Sequence, residues 1–264
     1  MSEILKPRPA STVLMLRDTP EGYELLMLKR NLNSDFVGGA YVFPGGGVDP
    51  SDAGASAQRL SFGISDEQAS TRLGISDGGL AYYVACLREL FEEAGLLLAC
   101  DEDGNAVALD EPELRSRLIE YRRQINDRSL GFVEMMEREN LRLDMRGLEY
   151  IAHWVTPVGP PRRYDTRFFV ALAPTNQVAT HDAGETVADQ WVRPVDALAA
   201  HERGELEMIF PTIKNLQNIA HFNTASDVMS YATSLTEIPC VLPKIFNSAE
   251  GIQILLPGDP GFDD

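Results

Sequence analysis

The sequence predicts an α/β or α+β layer fold, on three observations. Two β-like apolar runs, Ser11 to Asp18 and Tyr23 to Arg30, flank Thr19-Pro20-Glu21-Gly22. One long helix carries a single apolar stripe. Beyond it, strands and helices alternate to about residue 203.

Pro20 and Gly22 are turn formers, so the first two runs make a hairpin. The stretch from Gly38 to Gly47 is glycine-rich, and residues 50–80 are small and polar, the pattern of an insertion. Within it, Ser65 with Gln68 three residues on forms a capping box, and Ser76 or Asp77 is placed to cap the next helix. That helix, over about 78–94, aligns Tyr83, Leu87, Leu90 and Ala94 on one face, and Gly95 stops it. Leu96 to Cys100 reads as a buried strand, 111–140 as charged helix, and 149–156 and 165–172 as strands. Gln190 to Val192 precede a helix over Pro194 to Arg203, and another helix follows Pro211-Thr212. A tail punctuated by Pro and Gly ends the chain.

Composition narrows the function. Forty acidic residues stand against 23 basic ones, a formal charge of −17 in 264 residues. Nucleic acid and anionic membranes both require basic patches, so neither is the expected partner. A protein this acidic handles an anionic substrate only with metal cations or a local arginine cluster. Cys86, Cys100 and Cys240 show no CxxC spacing and read as reduced thiols. With no apolar leader and no run of 18 apolar residues, the expectation is a soluble, cytoplasmic protein.

The chemistry concentrates on the 78–94 helix, in Arg88-Glu89-Leu90-Phe91-Glu92-Glu93-Ala94-Gly95. At 3.6 residues per turn, Glu89, Glu92 and Glu93 share an arc of roughly 100° turned away from the apolar stripe. Glu89 and Glu93 repel as an i, i+4 pair, and the helix C-terminus disfavours further negative charge. Taken alone, such a cluster is a solvated acidic face. With hard divalent cations bound it becomes a gain instead. Upstream, Phe43-Pro44-Gly45-Gly46-Gly47 follows a strand and lets backbone approach a ligand.

A glycine loop followed by Arg-Glu-x-x-Glu-Glu-x-Gly on a helix resembles the Nudix box. Gly46 takes the box glycine, Asp52 stands where the first glutamate belongs, and Arg88 to Leu96 match every defined position of the second half. Between Asp52 and Arg88 lie 35 residues where the pattern has seven. A split box of this kind resembles the coenzyme A diphosphatase-like branch, whose eukaryotic members are peroxisomal. The likeness extends to Thr156-Pro157, to Arg162 through Phe169, and to Gly184-Glu185 followed by Trp191 and Pro194.

That resemblance implies a mixed, curved sheet sandwiched between helices over residues 1–203, with 204–264 as a helical extension and tail. It implies hydrolysis of a diphosphate bond in a nucleoside diphosphate linked to another moiety, with Mg²⁺ or Mn²⁺ as cofactor. Carried over by position, Glu89, Glu92, Glu93 and the Gly45 carbonyl are metal ligands, and Arg88 orients a glutamate. Glu93 or Glu185 is the candidate general base. Arg30, Arg162, Arg163 and Gly46 are the candidate substrate contacts, with Phe36, Tyr41 and Tyr164 available to stack a base. The branch's coenzyme A signature places an arginine where this chain has Asp35, with Gly39 matching its glycine. Coenzyme A, a nucleotide sugar, a dinucleotide and ADP-ribose all stay open on this reading. A homodimer is permitted, and the 53–80 insertion fits either a lid or a dimer contact.

Other classes weigh less. Gly74-Ile75-Ser76-Asp77-Gly78 has the spacing of a nucleophile elbow but follows a polar helical stretch instead of a buried strand. The four histidines, at 153, 181, 201 and 221, show no metal spacing and read as surface or core residues. A nucleotide sensor on the same fold would have lost box carboxylates, and all three are intact here.

Overall fold

The computed structural model describes residues 5–32, 38–248 and 251–262. Asp35 and Phe36 lie outside them. The chain begins with the expected hairpin, β1 (Arg8–Thr19) and β2 (Gly22–Arg30), then β3 (Tyr41–Val42) and β4 (Gly45–Gly47). A 3-10 turn over Pro50–Ala53 leads into α1 (Ala55–Leu60), β5 (Ser61–Phe62) and α2 (Asp66–Leu73). The long helix follows as α3 (Leu80–Ala94), then β6 (Ala99–Cys100), α4 (Pro112–Asn126), α5 (Phe132–Arg138) and β7 (Arg142–Asp144). β8 (Glu149–Val155), β9 (Tyr164–Leu172) and β10 (Thr186–Val192) complete the main strands. Three helices come next, α6 (Pro194–Glu202), α7 (Phe210–Ile219) and α8 (Ala225–Ser234). The last elements are β11 (Cys240–Val241), β12 (Lys244–Ser248) and β13 (Gly251–Leu255).

The central sheet runs β10-β2-β1-β9-β8-β11, with β3 against β2 and β4 against β1. It is mixed: β1 pairs parallel with β9 and antiparallel with β2, in register at Thr12↔Phe168 and Leu16↔Leu25. Both faces are covered, which explains why the two first strands read as continuous apolar runs. On β1 and β2, Val13, Met15, Leu26 and Leu28 pack toward α3, α4 and α5. The alternate residues Leu14, Leu16, Leu25 and Met27 pack toward α6, α7 and α8. The period-2 alternation of a strand thus feeds two cores.

Three expectations change. Of the run 96–100 only Ala99–Cys100 is strand, because the chain leaves the αL residue Gly95 and must turn to pair with β7. α3 is capped neither by Ser76 nor by Asp77, which bond each other at 2.8 Å. Instead Asp66, in the first turn of α2, accepts from Gly78 N at 3.1 Å and Leu80 N at 2.9 Å. The Ser65–Gln68 box is present as read. Gly74 is the αL cap of α2, so the elbow-like spacing marks a helix end.

The segment after residue 203 packs directly on the core of the preceding residues. Leu216, Ile219 and Val228 share a core with Leu14 and Leu25 of the first hairpin, and Tyr23 Oη donates to Ile219 O at 2.6 Å. The tail is not purely helical either: Cys240 and Val241 extend the sheet beside β8, and β12 and β13 form a separate hairpin. The insertion contributes β5 to a second small sheet, β5-β7-β6, and sends Ala57, Ala69 and Leu73 into the core under α3. None of its residues 53–80 is among those lining the large cleft, and its apolar side chains pack against α3. Among the described residues no helix is long and apolar enough to cross a membrane.

Candidate active site

Pairing of β4 with β1 fixes the glycine turn against α3. Pro44 O accepts from Val13 N at 2.9 Å, and Gly45 pairs with Thr12. A side chain at Gly45 would begin 2.4 Å from Ser11 O, and one at Gly46 would begin 2.5 Å from Glu89 Oε1. At Gly45 a neighbouring strand leaves no room for a side chain, and Gly46 lets the backbone close on the Glu89 carboxylate. Gly45 N in turn donates to Glu93 Oε2 at 2.9 Å.

Arg88 organises the carboxylates. Its Nη1 donates to Glu89 Oε1 at 2.8 Å and, more distantly, to Glu92 at 3.4 Å. Nη2 reaches Gly47 O at 2.7 Å. Nε and Nη2 form a forked pair with Asp52, each at 3.0 Å. Burial opposes the charge on Arg88, but its bonds to Asp52 and the surrounding carboxylates outweigh this and raise its pKa. Asp52, 1% exposed and standing where the box pattern has its first glutamate, is the anchor of this arginine.

The cluster is desolvated and over-negative. Burial, aided by the charge on Glu92, pushes Glu89 up to about 7 despite the opposing effect of Arg88. Burial also raises Glu92. Glu93 is pushed well above the usual carboxylate range, first by burial and then by Glu89. Glu93 Oε1 is buried with no hydrogen-bond partner among the described residues.

Glu185 is exposed, on the turn before β10, where Asp182 accepts from Glu185 N at 3.0 Å and Thr186 N at 2.8 Å. Its charge acts on both Glu89 and Glu93, so the turn brings it to the helix cluster. Arg30, at the end of β2, has a buried Nε with no partner, and its charge lowers the pKa of Glu93.

All of these groups open on one cleft of about 1880 Å³, which Arg30, Gly45, Gly46, Arg88, Glu89, Glu92, Glu93, Arg162 and Glu185 line. Tyr164 also lines it, whereas Tyr41 does not. Arg163 is a correction. It is buried, its Nε donates to Thr156 O at 3.0 Å and Pro157 O at 3.1 Å, and its Nη1 donates to Leu5 O at 2.7 Å. A guanidinium so engaged holds the chain together and does not face the cleft.

Two further cleft residues escaped the sequence. His181 Nδ1 lies 2.6 Å from Asp189 Oδ1. Arg122 on α4 donates from Nε to Glu92 O at 2.9 Å, while its Nη2 is buried without a partner. A signal for it was present: Leu118, Arg122 and Ile125 follow i, i+4, i+7, an arginine on the buried stripe of α4.

Among the described residues, no three acidic, His or Cys side chains are already drawn together as a metal cage. Arg88 accounts for this by holding Glu89 and Glu92 on its own N–H groups. The donor set nevertheless fits a hard divalent cation: carboxylate oxygens, backbone carbonyl oxygens of the glycine turn, and the unpartnered Glu93 Oε1 in a desolvated pocket of excess negative charge.

The model of the NUDT19 Nudix domain matches residues 5–219. The chain is similar to acyl-coenzyme A diphosphatase NUDT19 of Gallus gallus, 28% identical over 281 residues that cover 91% of this chain and 73% of that protein. It is also similar to acyl-coenzyme A diphosphatase NUDT19 of Homo sapiens, 27% identical, covering 96% of this chain and 76% of the human one. A solved NUDIX hydrolase from Alicyclobacillus acidocaldarius superposes with a TM-score of 0.64 at 26% identity, over 86% of this chain and 97% of that one.

Proposed function

Because the chain belongs to the Nudix hydrolases, in the group described by the NUDT19 Nudix domain, we propose that it hydrolyses the diphosphate of coenzyme A or an acyl derivative, with a divalent cation. The observation that carries this is the gathering of three desolvated glutamates and an unpartnered carboxylate oxygen under a glycine turn. Such a cluster favours cations and, through them, a diphosphate. The names of the relatives favour coenzyme A derivatives as the substrate. The cleft favours them too. Its volume of about 1880 Å³ exceeds the roughly 300–1,000 Å³ of ordinary small-molecule pockets, which suits a long ligand.

Glu89, Glu92, Glu93 and the carbonyl of Gly45 would hold Mg²⁺ or Mn²⁺. When bound, the cation supplies neutralisation of the diphosphate charge and a water of lowered pKa. The chain supplies the rest. Arg88, fixed by Asp52, keeps Glu89 and Glu92 in place on the helix. Arg30 offers its free Nε to a phosphoryl oxygen, and Arg162 lines the same wall. Glu185 accepts the proton of the attacking water: it is exposed to the cleft and close enough for its charge to act on Glu89 and Glu93. Glu93, with Oε2 already bonded to Gly45 N, is the less free of the two base candidates.

The test is product analysis on coenzyme A, acyl-coenzyme A, ADP-ribose, NADH and FAD with Mn²⁺ or Mg²⁺, running wild type beside Glu92→Gln. Cleavage of coenzyme A or its acyl form, reduced by roughly a hundredfold or more in the variant, is the expected result. Cleavage of a different member alone moves the substrate elsewhere. Full activity in Glu92→Gln removes the metal site from the account.

A further inference from the structure

Arg122 is held in an unusual state. It sits on the buried stripe of α4 between Leu118 and Ile125, and its Nε is fixed to Glu92 O at 2.9 Å, on the last turn of α3. Asn126 reaches the same carbonyl at 3.4 Å. Nη2 is buried with no hydrogen-bond partner, and no carboxylate among the described residues forms an ion pair with this guanidinium. Asp182, Glu93 and Asp189 act on it only through space. A buried, unpaired cation is costly. Capping the end of α3 uses one N–H group and leaves that cost unexplained, because an exposed side chain could cap equally well.

Arg122 is also one of the residues that line the cleft. Two other arginines there are engaged: Arg88 by Asp52, Glu89 and Gly47, and Arg123 by Glu120 and Asp127. Among the described residues, Arg30 and Arg122 are the two cleft arginines with a buried, unpartnered N–H, and each lies near enough to Glu93 for the two charges to interact. We propose that Arg122 is a phosphate-binding residue, taking a phosphoryl group of the substrate on the α4 side of the carboxylates while Arg30 takes the other side. A planar fork with free N–H groups suits two phosphate oxygens at once. This rests on the diphosphatase reading above. It adds a substrate contact from outside the box, on a helix that the box does not include.

Two readouts separate the proposal from that reading. The first is calorimetric titration of the metal-loaded protein with ADP, which needs no turnover. Wild type binds, Arg122→Gln binds at least roughly tenfold more weakly, and Arg122→Lys recovers part of the loss. The second is KM for whichever panel substrate is cleaved, expected to rise in Arg122→Gln more than kcat falls. Melting temperature is followed alongside. Equal ADP affinity in wild type and Arg122→Gln overturns the proposal even where the diphosphatase activity stands, as does a wild type that does not bind ADP. A loss of affinity that tracks a fall in melting temperature and is not recovered by Arg122→Lys assigns Arg122 to capping alone, which also overturns it. A panel with no substrate cleaved, beside ADP binding that depends on Arg122, removes the diphosphatase reading and leaves the phosphate contact.

Discussion

Asp52 and Arg88 form a two-bond pair, Nε to Oδ1 and Nη2 to Oδ2 both at 3.0 Å, with the arginine 6% and the aspartate 1% exposed. The pair holds the 3-10 turn after β4 against α3 and frees only Nη1 for Glu89 and Glu92. Asp52→Ala leaves a buried guanidinium with part of its bonding lost. The expected cost is about 3–5 kcal/mol of unfolding free energy, read by urea denaturation. An unchanged midpoint would mean that the turn is held by something else.

Gly46→Ala tests the close approach of backbone to Glu89. The added Cβ begins 2.5 Å from Glu89 Oε1, the far end of a side chain that can swing away. Unfolding free energy is expected to change by under about 1 kcal/mol, since no backbone need move. Metal affinity and turnover are expected to drop together, because Glu89 has been turned out of the cluster. Wild-type Mn²⁺ affinity in this variant would show that Glu89 is not a ligand.

Stability of the metal-free protein should fall as pH rises from about 5 to 7.5. Glu89 has a folded value of about 7 against an ordinary 4.5, and Glu93 is also raised. Between those values the folded state holds more protons than the unfolded one. The slope of unfolding free energy against pH is therefore negative in this window, and the contribution is lost as pH passes the folded value. Melting temperature against pH reads it. Saturating Mg²⁺ should flatten the slope by compensating the ionised carboxylates, and Glu93→Gln should reduce it without metal. A profile that rises over the window contradicts the charge excess assigned here.

Arg163 and Arg162 should separate. Arg163→Met removes donors from Thr156, Pro157 and Leu5 carbonyls and is expected to cost about 1–2 kcal/mol with KM unchanged. Arg162→Met, at the cleft, should move KM with little loss of stability. The reverse pattern would return Arg163 to the substrate.

What the sequence made legible were the features with local causes. Tyr83, Leu87, Leu90 and Ala94 gave the buried face of α3, and Pro20 with Gly22 gave the hairpin. The acidic cluster and the glycine turn were legible because each is fixed by short-range spacing within its own half of the box. The hidden parts are those in which distant residues meet. Asp66 caps a helix twelve or more positions away, Asp52 anchors Arg88 across the insertion, and Arg122 joins the site from α4. Arg163 misled for the same reason: next to Arg162 in sequence, it points into the packing between β8, β9 and the N-terminal stretch. An arginine's charge is visible in a sequence, but the carbonyls that surround it are not.

The insertion between Asp52 and Arg88 has a thermodynamic consequence. A flexible loop costs only about 0.6 kcal/mol of closure entropy for each doubling of its length. Stretching the family's seven-residue spacer to 35 residues is a little over two doublings, on the order of 1.4 kcal/mol. The forked pair closes its ends, and Ala57, Ala69 and Leu73 set against that penalty apolar burial that a short spacer could not supply. The box is thus a constraint on where two chain ends meet, with no requirement on the contour between them. Lineages of this fold are free to lengthen that contour, and a search that demands a fixed spacing will pass over members whose chemistry is intact.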